Sequence, residues 1–193
     1  MRKTQFSFDI NLTGDWPAQF DRRIECRLSA LAGQFSDEDA FARARAAGDP
    51  VVYEVHEILR PEDPGELLHG LSIVHPGKIG SEFFMTKGHY HSVRDTAEIY
   101  VGLRGHGLLL TENERGEWAA EEFLPGRVVY VTPGWAHRSI NVHPSEDLVT
   151  FFAYPGHAGH DYGSIEKRGF RRIVLEDGGR YRIAEKPGAG RHA

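Results

Sequence analysis

From Pro50 to Tyr154 the chain is cut every few residues by turn chemistry, and this constrains its fold more than any single motif. Pro61 to Gly65, Pro76-Gly77, Asn113 with Gly116, Pro125-Gly126 and Pro133-Gly134 supply the breaks. Proline fixes φ and glycine permits positive φ, so such positions reverse the chain. Between them lie short strand-like runs at 51–59, 70–74, 83–86, 98–103, 107–112, 118–121, 127–132, 137–142 and 148–154. Many short strands with frequent turns predict a mainly β sandwich or barrel. Two further runs, 172–175 and 180–184, flank Asp177-Gly178-Gly179 and predict a terminal hairpin.

The first fifty residues read differently. Ile24, Leu28 and Leu31 recur at i, i+4 and i+7, predicting a helix over 21–33 that Gly33 ends. A second helix is expected after Ser36, where Asp37, Glu38 and Asp39 suit the positive end of a helix dipole and Gly48 closes the run. The resulting division is a helical extension at 1–49 packed on a barrel at 50–186. The Gly-rich tail at 187–193 is expected to be disordered.

Composition narrows the function classes. A net charge of −5 lacks the basic surplus that a nucleic-acid partner selects. Residues 1–16 mix Arg2, Lys3, Asp9 and Asp15 with scattered apolar residues, so neither a signal peptide nor a membrane span is expected. Cys26 is the only cysteine, which precludes an internal disulfide and makes the cytoplasm the expected compartment.

Histidine carries the chemistry. In His89-Tyr90-His91 a strand would send both imidazoles to one face and Tyr90 to the other. Glu98 opens a later strand, where Ile99, Val101 and Leu103 read as the core face. A carboxylate directed inward needs a charge partner or a metal. His137, just after Pro133-Gly134, adds a third imidazole. His89, His91, Glu98 and His137 are therefore the expected ligands of one divalent ion. Three nitrogens and one oxygen would leave coordination positions open, as catalytic sites require.

The arrangement resembles the cupin double motif, G-x5-H-x-H-x3,4-E-x6-G followed by G-x5-P-x-G-x2-H-x3-N. Gly105 and Asn141 stand at their expected distances from Glu98 and His137, and Gly126 sits where the second motif begins. Phe83 replaces the first glycine, Thr132 the proline, and six residues separate His91 from Glu98. The segments Phe84-Met85-Thr86-Lys87-Gly88-His89-Tyr90-His91, Ala97-Glu98-Ile99-Tyr100-Val101 and Ala158-Gly159-His160-Asp161-Tyr162-Gly163 are similar to the cupin-type, archaeal-type phosphoglucose isomerase family. The resemblance implies a single cupin (double-stranded β-helix, jelly-roll) barrel and a homodimer. It also implies interconversion of glucose 6-phosphate and fructose 6-phosphate, steps in glycolysis and gluconeogenesis.

In that reading Glu98 is the base candidate, and His137 and Tyr100 complete the catalytic group. Tyr53, Ser72, Thr86, Gly88, Tyr154, His160 and Tyr162 carry over as substrate-binding positions, with Ser72 where the family has threonine. Lys87 is expected to point away from Thr86 and Gly88 into solvent. The ion is expected to be Fe2+, with Mn2+, Zn2+ or Ni2+ also compatible with three histidines and a carboxylate. Two other functions use the same scaffold: a non-haem Fe(II) oxygenase, and a non-catalytic sugar-binding cupin. Fold alone does not separate them.

Overall fold

The strand-and-turn punctuation becomes a set of antiparallel ladders. The computed structural model describes residues 4–11 and 20–188. In chain order it contains β1 (Arg22–Arg27), a 3-10 turn (Leu28–Leu31), α1 (Glu38–Gly48), β2 (Val51–Ile58), β3 (Leu67–Val74), β4 (Lys78–Ile79) and β5 (Glu82–Phe83). There follow β6 (Glu98–Arg104), β7 (Gly107–Glu112), β8 (Trp118–Phe123), β9 (Val128–Val131), β10 (Ala136–Asn141) and β11 (Leu148–Pro155). A short α2 (Gly163–Arg168) precedes the hairpin β12 (Arg172–Asp177) and β13 (Arg180–Glu185).

A six-stranded sheet runs β1-β2-β3-β11-β6-β9, a three-stranded sheet β10-β7-β8, and a four-stranded sheet β13-β12-β5-β4. The mainly β, jelly-roll barrel expected from the sequence is what forms, with short helices near the N-terminus. β7 and β10 are buried along their whole lengths. Leu108, Leu109 and Leu110 are therefore all inaccessible, where a one-faced strand would show alternation. The expected hairpin pairs Arg172 with Glu185 through Asp177 with Arg180.

Three expectations need correction. On β6, Glu98, Tyr100 and Gly102 are buried, while Ile99, read with Val101 and Leu103 as the core face, is exposed, because the Glu98 face is the one that lines the barrel interior. The segment read as a helix over 21–33 is strand β1, hydrogen-bonded along β2, with a single 3-10 turn after it. Its Ile24 is 42 % exposed and joins no helical apolar stripe. The N-terminal segment thus contributes a strand to the main sheet, and among its described residues only α1 is an α-helix. Helix α1 is where it was expected, capped by Asp37, whose Oδ1 accepts from the Ala40 amide at 2.8 Å. The run at 83–86 forms a ladder only at Glu82–Phe83. Beyond it Met85, His89 and Tyr90 make isolated bridges to Ile140, His137 and Asp161. Of the tail expected to be disordered, 189–193 lies outside the described residues, and Pro187-Gly188 forms a turn. Among the described residues no helix is long and apolar enough to cross a membrane.

Candidate metal centre

The bridge between His89 and His137 brings two distant parts of the chain to one point. The His89 amide donates to the His137 carbonyl at 3.2 Å, and the His137 amide donates back at 3.0 Å. Gly88 makes this approach possible. Its φ is +78°, and a Cβ there would lie 2.6 Å from the Phe170 ring and 2.9 Å from the His137 carbonyl oxygen. His91 follows two residues on, and Glu98 projects inward from the first position of β6. One ligand atom from each of His89, His91, Glu98 and His137 falls within 4.8 Å of the others. All four expected ligands are therefore brought together.

The donor set fits a cation. The Nδ1 of His91 lies 3.1 Å from the Thr96 carbonyl oxygen and 2.9 Å from its hydroxyl, while the Nδ1 of His137 lies 3.3 Å from the Trp135 carbonyl oxygen. A carbonyl only accepts, so each Nδ1 carries a proton, and Nε2 is the nitrogen left to meet a cation with its lone pair. The two Nε2 atoms face Oε2 of Glu98, at 3.1 Å and 2.9 Å. A proton or a metal ion must stand between each nitrogen and the carboxylate. Nε2 of His89 is buried without a hydrogen-bond partner among the described residues. Burial first, then the neighbouring His137, His160 and His91, push its pKa well below the ordinary value, so this ring is uncharged. Burial pushes the Glu98 carboxyl up, but His137, then His91, outweigh it when a proton on Nε2 makes each ring a charged donor, and they hold the group at about 2. A metal ion at the same point would take that proton's place. Three imidazole nitrogens and one ionised carboxylate converge here, and this group can hold a metal ion.

The centre opens onto a cavity of about 200 Å³. Every substrate-binding position expected from the sequence lines it: Tyr53, Ser72, Thr86, Gly88, Tyr154, His160 and Tyr162. The Thr86 hydroxyl accepts from the Ser139 amide at 3.0 Å, which leaves its own proton free to donate. Tyr100 lies at the metal end, where burial, then the charge of and hydrogen bond to Glu98, keep its hydroxyl protonated. His160 and Tyr162 stack at 5.6 Å, and His160 also meets His89 edge-on at 4.4 Å. Their loop is pinned by Arg94, which donates to the His91 carbonyl and to Asp161, each at 2.7 Å.

Lys87 is not free in solvent: its side chain is 22 % exposed, pairs with Glu166 at 2.9 Å and lies over the Tyr162 ring. Sequence reasoning missed Arg22, Ile24, Val55 and Glu57, which form one wall of the cavity. Reading 21–33 as a helix hid the first two.

A family model described as "Glucose-6-phosphate isomerase (GPI)" matches residues 26–187. A glucose-6-phosphate isomerase of Thermococcus gammatolerans is 45% identical over 186 residues, 96% of each chain. That of Thermococcus litoralis is 46% identical over 161 residues, 83% of this chain and 84% of its own. That of Sinorhizobium medicae is 43% identical over 154 residues, 79% of this chain and 72% of its own. Among solved structures, an oxalate oxidase superposes on 53% of this chain and 49% of its own, with a TM-score of 0.44 and 13% identity.

Proposed function

This chain belongs to the glucose-6-phosphate isomerase family, and from that premise we propose that the pocket at His89, His91, Glu98 and His137 is where it interconverts glucose 6-phosphate and fructose 6-phosphate. It is an aldose–ketose isomerase, and its substrate is a sugar phosphate. One observation carries the placement of the reaction. A single cavity joins a metal-competent centre to the hydroxyls of Ser72 and Thr86. Aldose–ketose exchange moves a proton between adjacent carbons while a carbonyl and a hydroxyl change places. It therefore needs charge stabilisation at one end of the sugar and an anchor for phosphate at the other.

His89, His91, Glu98 and His137 would hold a divalent ion, which would supply Lewis acidity for the negative charge that develops on the sugar. The protein's own groups do the rest. Ser72, Thr86 and the Gly88 backbone bind phosphate oxygens, while Tyr53, Tyr154, His160 and Tyr162 wall the sugar. Glu98 accepts the proton from one carbon and returns it to the adjacent carbon, while the hydroxyl proton passes to the former carbonyl oxygen. Tyr100 donates a hydrogen bond to Glu98 and fixes its orientation, and His137 shares its other side. A carboxyl group held at about 2 is a weak base. Substrate binding must therefore loosen the contacts to His137 and His91 and raise it.

We take the ion to be Fe2+, one per subunit, with Mn2+, Ni2+ and Zn2+ as the competitors. A homodimer in the cytoplasm completes the proposal. Supporting it, Ile99, Val128 and Tyr130 lie side by side on the outward face of β6 and β9, exposed by 38 %, 60 % and 61 %. The deciding test is to strip the purified protein with a chelator, restore single metals, and follow fructose 6-phosphate conversion. Activity returning with metal, most with Fe2+, is expected. No conversion with any of the four ions would overturn the reading.

A further inference from the structure

The edge strand that sequence reasoning missed forms a graded wall. Pairing of β1 with β2 sets Cys26 opposite Tyr53, Ile24 opposite Val55, and Arg22 opposite Glu57. Cys26 is buried, while the Arg22 side chain is 51% exposed, so the series runs from the interior to the mouth. The ladders extend these rows across the sheet. Val55 faces Ser72, and Glu57 leads through Gly70 and Phe152 to Tyr100. Glu98 stands two residues beyond Tyr100, about 7 Å along a strand. The row that Arg22 begins thus lies between the metal ligands and the Ser72 hydroxyl.

Charge makes that position consequential. Among the described residues lining the cavity, Arg22 is the only lysine or arginine, and two carboxylates, Glu57 and Glu98, oppose it. Nε and Nη2 of Arg22 both meet Oε2 of Glu57, at 2.6 Å. Glu57 is the better buried partner, its side chain 14% exposed. It therefore acts as the fixed seat and Arg22 as the movable group. A guanidinium that accommodates a carboxylate also accommodates a phosphate, whose oxygens present the same acceptor geometry.

We propose that Arg22 is a specificity residue that recognises the substrate's phosphate, exchanging Glu57 for the incoming dianion. The inference rests on the isomerase reading above. An ion pair that merely ties β1 to β2 contributes little to stability when half exposed, and it would leave substrate affinity unchanged.

The test uses the full-length, metal-loaded protein as wild type, Arg22→Met, Arg22→Lys and Glu57→Gln. Fructose 6-phosphate kinetics are measured at low and high salt, together with competitive inhibition by inorganic phosphate. Arg22→Met should raise KM about tenfold, the loss of one charge-assisted contact, with kcat little changed. It should flatten the salt dependence of kcat/KM and weaken phosphate inhibition by a similar factor, and Arg22→Lys should recover part of each. Glu57→Gln should move phosphate inhibition the opposite way. The inference is overturned if Arg22→Met keeps the wild-type KM and phosphate inhibition, or if Arg22→Met and Glu57→Gln both raise KM in step with equal losses of thermal stability. Wild type that fails to isomerise would instead sink the parent reading. Calorimetric binding of inorganic phosphate to wild type and Arg22→Met would then still decide the role of Arg22.

Discussion

Nε2 of His137 lies 2.9 Å from Oε2 of Glu98, while Nδ1 of the same ring is committed to the Trp135 carbonyl. A lone pair facing a carboxylate is repulsive until a cation lies between them. Metal should therefore add stability as well as activity. At a concentration a hundredfold above its dissociation constant, a bound ion contributes about 2.7 kcal/mol. For a chain of this size that raises Tm by roughly 5–10 °C. Differential scanning fluorimetry with and without chelator measures it, and His89→Ala should abolish the increment. Equal melting of stripped and loaded protein would refute the ligand set.

Glu98 is asked to be both ligand and base, and one substitution separates the roles. Glu98→Gln keeps the shape and an oxygen donor but cannot take up a proton. Turnover should fall by about 10²–10⁴, the usual worth of a positioned acid–base group. Wild type in deuterated water should place solvent deuterium in the product. Metal content of the variant, measured alongside, shows whether the ion was lost as well. Unchanged turnover in Glu98→Gln would end its candidacy as base. Deuterium-free product from wild type would favour a hydride shift between the carbons.

The metal centre was legible in the sequence because its ligands carry their geometry with them. His-x-His points two rings one way on any extended backbone, and His137 stands just after the Pro133-Gly134 turn that delivers it. Strand β1 was illegible for a physical reason. Of its inward residues, Arg22 and Ile24 line the cavity and only Cys26 joins the core, so the apolar alternation that marks a strand is missing. What remained, Ile24 with Leu28 and Leu31, mimicked a helical stripe. In the structure the latter two are buried from a 3-10 turn and Ile24 is on the cavity wall. Arg22 and Glu57 were invisible as a pair because only the register across two strands brings them together.

Gly88 is a test of how tightly the centre is built. Its φ of +78° is unfavourable to other residues, and an alanine Cβ would also lie 3.0 Å from Cβ of Arg138. Arg138 cannot yield: it is buried, stacks on Phe170 at 4.0 Å and donates to Gln34 and the Lys87 carbonyl. Gly88→Ala should cost about 1–3 kcal/mol in backbone strain alone, and it should pull His89 away from His137. Urea unfolding and metal titration should both register the change. A variant with wild-type metal affinity would show that the bridge is more compliant than its contacts imply.

The apolar patch on β6 and β9 gives the dimer proposal a direct check. A charge placed in a self-complementary interface meets its own copy across the twofold axis. Tyr130→Glu should therefore shift sedimentation from dimer toward monomer while leaving the fold intact by circular dichroism. A dimer of undiminished affinity would remove this face from consideration.

His75 lies between two carboxylates. Its Nδ1 is 2.8 Å from Asp147 and its Nε2 is 3.2 Å from Glu54. It thereby joins the end of β3 to β2 and to the loop before β11. The hydrogen bond to Asp147 leads in raising its pKa above 6.5, against burial and aided by Glu54. A raised folded-state value means that the folded form holds the proton more tightly. The stabilisation is thus complete below about 6.5, the unfolded value, and is lost as pH climbs through the higher folded value. Glu54 behaves in the opposite sense. Arg23 chiefly, with His56 and His75, lowers it to about 2, so its contribution is present above 4.5 and fades as acid approaches 2. Comparing His75→Gln with wild type by urea unfolding, the stability gap should be widest near pH 6 and narrow toward pH 9. A gap that widened with pH would mean that the ring is held neutral, and that the bridge to Asp147 is not an ion pair.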